Sequence, residues 1–231
     1  MLGQPLPPTE YDLRFSVFGI PVRVHPVFWL TAALLTWEGG HLDLTLIGML
    51  AVFVSILVHE LGHAFATRRL GGRSEIVLEF MGGYATTIAH SRLGNIMIAA
   101  AGPAAGFALW LVARIILRAP IGGQLRENSL RLYFFVRSLE WMNLVWNLLN
   151  LLPVWPLDGA HIAREVIGRF RRYDGWEMTL KLSIVVAVGF AAWAVHRQMT
   201  TDDDYRLTIA LFAILAFQNF QTLQMSQTGR W

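Results

Sequence analysis

Apolar residues in this chain run in long blocks rather than in short alternations. After a polar, proline-rich start over residues 1–23 (Pro5, Pro7, Pro8), apolar blocks recur near residues 24–37, 44–67, 96–117, 133–152, 180–196 and 207–223. A helix needs about 20 apolar residues to cross a hydrocarbon core about 30 Å thick. The pattern therefore predicts an all-α polytopic membrane protein of about six transmembrane helices, forming one integral-membrane domain over 1–231. The first block is short and the fourth is interrupted by polar residues. Between the second and third blocks the pattern changes. Gly71-Gly72 and Gly82-Gly83 bracket a β-prone stretch, Ile76 to Tyr84. This predicts a short β-hairpin or re-entrant segment.

Composition agrees with a membrane setting. Of 231 residues, 55% are hydrophobic and 15% charged, against about 25% charged in ordinary soluble domains. That excludes a disordered chain. The absence of cysteine excludes disulfides, thiolate metal sites and cysteine nucleophiles. The start lacks the basic, apolar and small-residue succession of a signal peptide. With the N-terminus inside, the inner segments hold most of the basic residues, among them Arg14, Arg23, Arg68, Arg69, Arg73, Arg164, Arg169, Arg171 and Arg172, while 202–204 is an all-aspartate run outside. Both termini are thus expected in the cytoplasm of a cell-membrane protein. The net charge of +3 reads as loop charge setting topology, and no basic patch suggests nucleic acid.

Chemistry concentrates in the second block, which contains His59-Glu60-Leu61-Gly62-His63. On a helix His59 and His63 are i and i+4, so both imidazoles face one way and suit one zinc ion. Glu60 stands beside them, placed to take a proton from water. A polar helix–helix contact without metal is the bland alternative. Leaving two histidines and a glutamate unliganded in lipid costs several kcal/mol, however.

A catalytic zinc needs a third protein ligand. The extended HExxHxxGxxH form is excluded by Ala66 and Arg69, and Glu75 and Glu79 fall in the glycine-flanked segment. Asp158 is the better candidate. It lies in Asn147-Leu-Leu-Asn150-Leu-Leu-Pro153-Val-Trp-Pro156-Leu-Asp158-Gly159, where two prolines end the fourth block and let the chain turn. The competing role for Asp158 is N-cap of the following helix.

HELGH on one span and NLLPVWPLDG at the end of a later one resemble the site-2 protease family of intramembrane zinc metalloproteases. The resemblance covers about residues 24–165. It extends to His25-Pro26, to Met81-Gly82-Gly83 and to the small-residue run Ala101-Gly102-Pro103-Ala104-Ala105-Gly106. Ala160 departs from a common second glycine, and no stretch resembles the PDZ or CBS domains of many members. The resemblance implies that His59, His63 and Asp158 hold one Zn2+ and that Glu60 acts as general base, then proton donor. It implies that Asn150, and with it Asn147, contacts the substrate backbone or the oxyanion. Asn147 is equally readable as an interhelical hydrogen bond. The implied activity is zinc endopeptidase cleavage within or near the transmembrane segment of a single-span membrane-protein substrate. A regulatory membrane partner is expected. The alternative is an inactive membrane scaffold or transporter retaining a metal site.

At about 1.5 Å per residue, His59 lies about 22 Å into its span, nearer the cytoplasmic side. Arg137 and Glu140 are spaced as a structural ion pair. Gly102 and Gly106 are spaced for close helix packing. His161 reads as either a neighbour of the metal ligands or a surface residue; His25 reads as either site or interface, and His90 as part of the hairpin. The C-terminal pair, about 180–223, carries no chemical motif.

Overall fold

A computed structural model describes residues 6–79, 82–85, 91–171 and 173–228, with side chains at 82–85 left undescribed. Met81 and His90 lie outside the described residues. The chain packs as two compact units, Met1–Leu148 and Leu149–Trp231.

The first unit opens with two strands, β1 (Leu13–Val17) and β2 (Ile20–Val24), where the polar start gave no expectation of structure. The signal was present. LRFSV and IPVRV are two short segments separated by Phe18-Gly19, and both turn residues take positive φ (51° and 71°), the conformation that two-residue hairpins favour. Ile20, Val22 and Val24 are buried on one side of β2. The helices α1 (Pro26–Leu35) and α2 (Leu42–Arg69) then carry the chain to β3 (Ile76–Glu79) and β4 (Gly82–Ala85). The expected hairpin at 76–84 is there, as half of a four-stranded sheet ordered β1-β2-β3-β4. β2 and β3 are parallel, with Val22 opposite Ile76, and the outer pairs are antiparallel. The apolar face of the sheet packs with Phe28, Val52 and Ile56, so the sheet is seated on the first two helices. At its polar end Arg23 bridges Asp12 (3.2 Å) and Glu79 (3.4 Å). The Asp12 carboxyl is held down at about 2, chiefly by the Thr9 hydroxyl and with help from the Thr9 N–H and Arg23.

Three more helices complete this region: α3 (Arg92–Arg118), α4 (Pro120–Asn128) and α5 (Leu130–Asn150). The second unit holds α6 (Asp158–Phe170), α7 (Gly175–Thr200) and α8 (Arg206–Gln227). Among the described residues α2, α3, α7 and α8 are long and apolar enough to cross a membrane. The first expected span is a helix of 10 residues, about 15 Å long at 1.5 Å per residue and so about half a hydrocarbon core. The fourth is α5, whose Arg131, Arg137, Glu140, Asn143 and Asn147 dilute its apolar character. Length and composition therefore identify four spans, with two further helices at the expected places.

The polar residues of α5 are paired. Glu140 is buried between Arg137, its i−3 neighbour, and Arg114 of α3 at 2.8 Å. Arg114 also lies over the Trp110 ring, 5.4 Å from its centroid. The sequence spacing identified Arg137–Glu140; the cross-helix partner Arg114 was not legible in it.

Candidate metal centre

Helix α2 carries His59, Glu60 and His63 on its buried face. Among the described residues these three form a group of candidate metal ligands, their ligand atoms all within 4.8 Å of one another. Glycines admit this cluster. A Cβ on Gly62 would stand 2.3 Å from the Ala101 carbonyl oxygen, so α2 and α3 cross in near-backbone contact. A Cβ on Gly102 would stand 2.2 Å from His63 Nε2, and one on Gly106 would stand 2.1 Å from Asn147 Nδ2. The small-residue run of α3 is thus a pair of sockets, one for His63 and one for Asn147.

The hydrogen bonds fix which ring nitrogens carry hydrogen. His63 Nδ1 lies 2.7 Å from the Ile98 carbonyl oxygen, which only accepts, so Nδ1–H donates there. Asn147 donates its Nδ2 to the Asn143 carbonyl, which turns its Oδ1 toward His59 Nδ1 at 2.8 Å. His59 Nδ1 must therefore also be the donor. These tautomers are assigned from the partners. The two Nε2 atoms face each other at 3.1 Å from rings set nearly perpendicular. In neutral rings with these tautomers each Nε2 offers its lone pair, and one cation could be bound by both. Imidazoles whose outer N–H groups are tied to oxygen acceptors are what a metal site uses. The donor set, two imidazole nitrogens and a carboxylate, suits zinc.

Asn143 continues the support behind His59. Its Nδ2 donates to Ser55 Oγ at 2.8 Å and to the Leu139 carbonyl at 2.9 Å. Ser55, Asn143 and Asn147 are all buried. Asn147 thus sits at the outer nitrogen of His59, on the side of the ring away from His63 Nε2. Asn143 and Ser55 escaped the sequence reading; their signal was one asparagine a helical turn before Asn147 and one serine a turn before His59.

The remaining zinc and substrate candidates, Asn150 and Asp158, fall in the second unit. Asn150 is the last residue of α5. Asp158 is the first residue of α6, and the N-cap position belongs to Leu157, which makes no side-chain cap bond. The N-cap role is therefore not the one Asp158 fills. Its carboxylate lies in the first turn, where the helix dipole favours negative charge. Gly159 follows of necessity, since a Cβ there would stand 2.1 Å from the Leu151 carbonyl oxygen. His161 is exposed and packs against Trp155, ring centroids 4.5 Å apart. His25 caps α1, its Nδ1 accepting from the Val27 N–H at 3.2 Å.

Comparison with known proteins bears on the whole arrangement. The sequence model of Peptidase family M50 matches residues 122–194, a stretch that includes the PLDG segment. A zinc metalloprotease of Methanocaldococcus jannaschii is 27% identical over 164 residues, covering 69% of this chain and 47% of that protein. Stage IV sporulation protein FB of Bacillus subtilis is 26% identical over 189 residues, covering 76% of this chain and 58% of that one. The fold is similar to that of the solved site-2 protease from Methanocaldococcus jannaschii, with a TM-score of 0.57 at 23% identity over 91% of this chain and 94% of the other. Over the matched stretch the chain is similar to peptidase family M50, and its sequence is similar to zinc metalloproteases. It spans about half the length of the curated relatives it matches. The family match falls on the segment bearing Asp158, whereas the cluster on α2 stands on its own geometry.

Proposed function

We propose that this chain is a zinc metalloendopeptidase that cuts a membrane protein within or near its transmembrane segment. The observation that carries the reading is the pair of buried imidazoles whose Nε2 atoms converge at 3.1 Å beside Glu60. In this reading His59 and His63 supply two ligands. Asp158 is assigned as the third on the strength of the PLDG motif. A zinc ion held by these residues would polarise the scissile carbonyl and acidify the attacking water.

The protein's own groups do the rest. Glu60 accepts the proton of the attacking water and returns it to the leaving amine. Asn147 keeps His59 in the one tautomer that presents Nε2. Asn150 contacts the substrate backbone or the developing oxyanion. A helical substrate must first expose its carbonyls, because they are engaged in its own i to i−4 hydrogen bonds. Strand β4 ends the sheet order and packs against α2, which supports strand addition of the unwound segment at that edge. Both termini are assigned to the cytoplasm of the cell membrane on the distribution of arginines.

The test is cleavage of a single-span model substrate by the purified chain in proteoliposomes, wild type beside Glu60→Gln. Site-specific cleavage by wild type and a loss of about 100-fold or more in the variant, with zinc retained, is the expected result. Cleavage surviving Glu60→Gln, or none by a zinc-loaded wild type on several such substrates, overturns the reading in favour of a metal-holding scaffold.

A further inference from the structure

The chain between α5 and α6 has no regular structure, and it contains two prolines that donate no hydrogen bond. Its internal bonds are few: Leu152 N–H to the Leu149 carbonyl (3.0 Å), Val154 N–H to that of Leu152 (2.7 Å) and Leu157 N–H to that of Val154 (2.8 Å). Both polar groups of the Trp155 backbone go elsewhere. Its N–H donates to Ser183 Oγ of α7 at 3.1 Å. Its carbonyl accepts from Asn219 Nδ2 of α8 at 2.8 Å.

Each partner is oriented for this contact by its own helix. Ser183 spends its hydroxyl hydrogen on the Thr179 carbonyl at 2.9 Å, which leaves oxygen lone pairs for the Trp155 N–H. Asn219 spends one amide hydrogen on the Leu215 carbonyl at 2.7 Å and the other on Trp155. Ser183 and Asn219 are fully buried on α7 and α8. Such groups are costly there unless satisfied, so their position calls for a reason. Val154 is buried among Ala187, Phe212 and Leu215, which fixes the residue before. Gly159 rests on the Leu151 carbonyl, which fixes the residue after Asp158.

We infer that Ser183 and Asn219 are positioning residues that clamp the Trp155 peptide and thereby set where Asp158 presents its carboxylate. The C-terminal helix pair, which carries no chemical motif, is on this account the scaffold of the third metal ligand. The inference rests on the reading of Asp158 as that ligand.

The experiment measures zinc affinity of the full detergent-purified chain by chelator competition, together with thermal stability and independently of cleavage. Ser183→Ala and Asn219→Leu are compared with Phe190→Ala, which removes the ring stacked on Phe212 and leaves both Trp155 bonds in place. The clamp variants should weaken zinc binding about tenfold or more, the scale found for groups that support metal ligands. Phe190→Ala should lower the melting temperature with affinity within about twofold of wild type. Ser183→Ala removes one oxygen atom, so it carries the test if Asn219→Leu fails to fold. Clamp variants that melt earlier yet bind zinc as wild type does would overturn the inference, as would equal zinc loss in Phe190→Ala. Asp158→Ala distinguishes the two levels. Unchanged zinc affinity there overturns the ligand reading and this inference together. Loss of zinc there with intact binding in Ser183→Ala and Asn219→Leu overturns this inference alone.

Discussion

Each unit of the molecule holds a buried asparagine at its candidate site residues, Asn147 in the first and Asn219 in the second, and the two use opposite ends of the amide. In the first unit Asn147 gives its N–H to the Asn143 carbonyl of its own helix, so its oxygen meets the His59 ring. In the second, Asn219 divides its N–H groups between the Leu215 carbonyl of its own helix and the Trp155 carbonyl. The first arrangement sets a proton's location on a side chain. The second sets the path of a backbone. The difference teaches that the same residue type, bonded to its own helix in the same way, contacts a candidate ligand directly in one place and, in the proposal above, acts on one through the chain in the other. Metal affinity should respond to both, and ring tautomer only to the first.

The largest effect that would break this comparison is at Glu60. Glu60→Gln should lower cleavage by about 100-fold or more while leaving the imidazole pair and its zinc in place. Next comes Gly102→Ala. The added methyl would need the space of His63 Nε2, so the ring must move, and overpacking of this kind costs about 1–3 kcal/mol. Loss of zinc together with a lower melting temperature is expected, whereas a variant that binds zinc normally would show that the socket has slack. Asn147→Leu should weaken zinc about 10- to 100-fold, and Asn147→Asp, which keeps an acceptor on His59, should bind more tightly than the leucine variant. Equal affinities would remove Asn147 from the account. Val77→Pro, in the middle of β3, should impair cleavage with zinc content unchanged, since the proline removes a donor from the sheet.

The smallest effect lies away from the metal. Asp12 is held down at about 2 against an ordinary 3.8. The folded state therefore gains stability from its ionised form above the ordinary value, and loses that gain as pH falls toward about 2. A melting curve followed from pH 5 to pH 2 should fall less steeply in Asp12→Asn than in wild type. Parallel slopes would show that the Thr9 and Arg23 contacts do not carry this part of the acid response.

Much of this was legible in the sequence, and the exceptions have physical causes. His59, Glu60 and His63 were readable because helical spacing converts i and i+4 directly into one face. Asp158 was singled out by its PLDG setting, with N-capping as the alternative; the structure gives the N-cap place to Leu157, and the ligand role stays a proposal. The hairpin at 76–84 was found from its glycine brackets. Its partner at 13–24 was not, because short half-polar strands look like a polar leader beside the long apolar blocks that follow. Gly102 and Gly106 were seen as packing residues. That they receive His63 and Asn147 depends on the crossing of helices far apart in the chain, which no local pattern reports. Ser183 and Asn219 were invisible for the same reason: one polar residue among several on a long helix becomes informative only when its partner is known.

The most direct test of the central claim is zinc stoichiometry by elemental analysis of the purified chain, wild type beside His59→Ala, His63→Ala and Asp158→Ala. One zinc per wild-type chain, depleted in all three variants while each still melts cooperatively, is the predicted result. A well-folded wild type without zinc, or full occupancy retained in His59→Ala and His63→Ala, would contradict it.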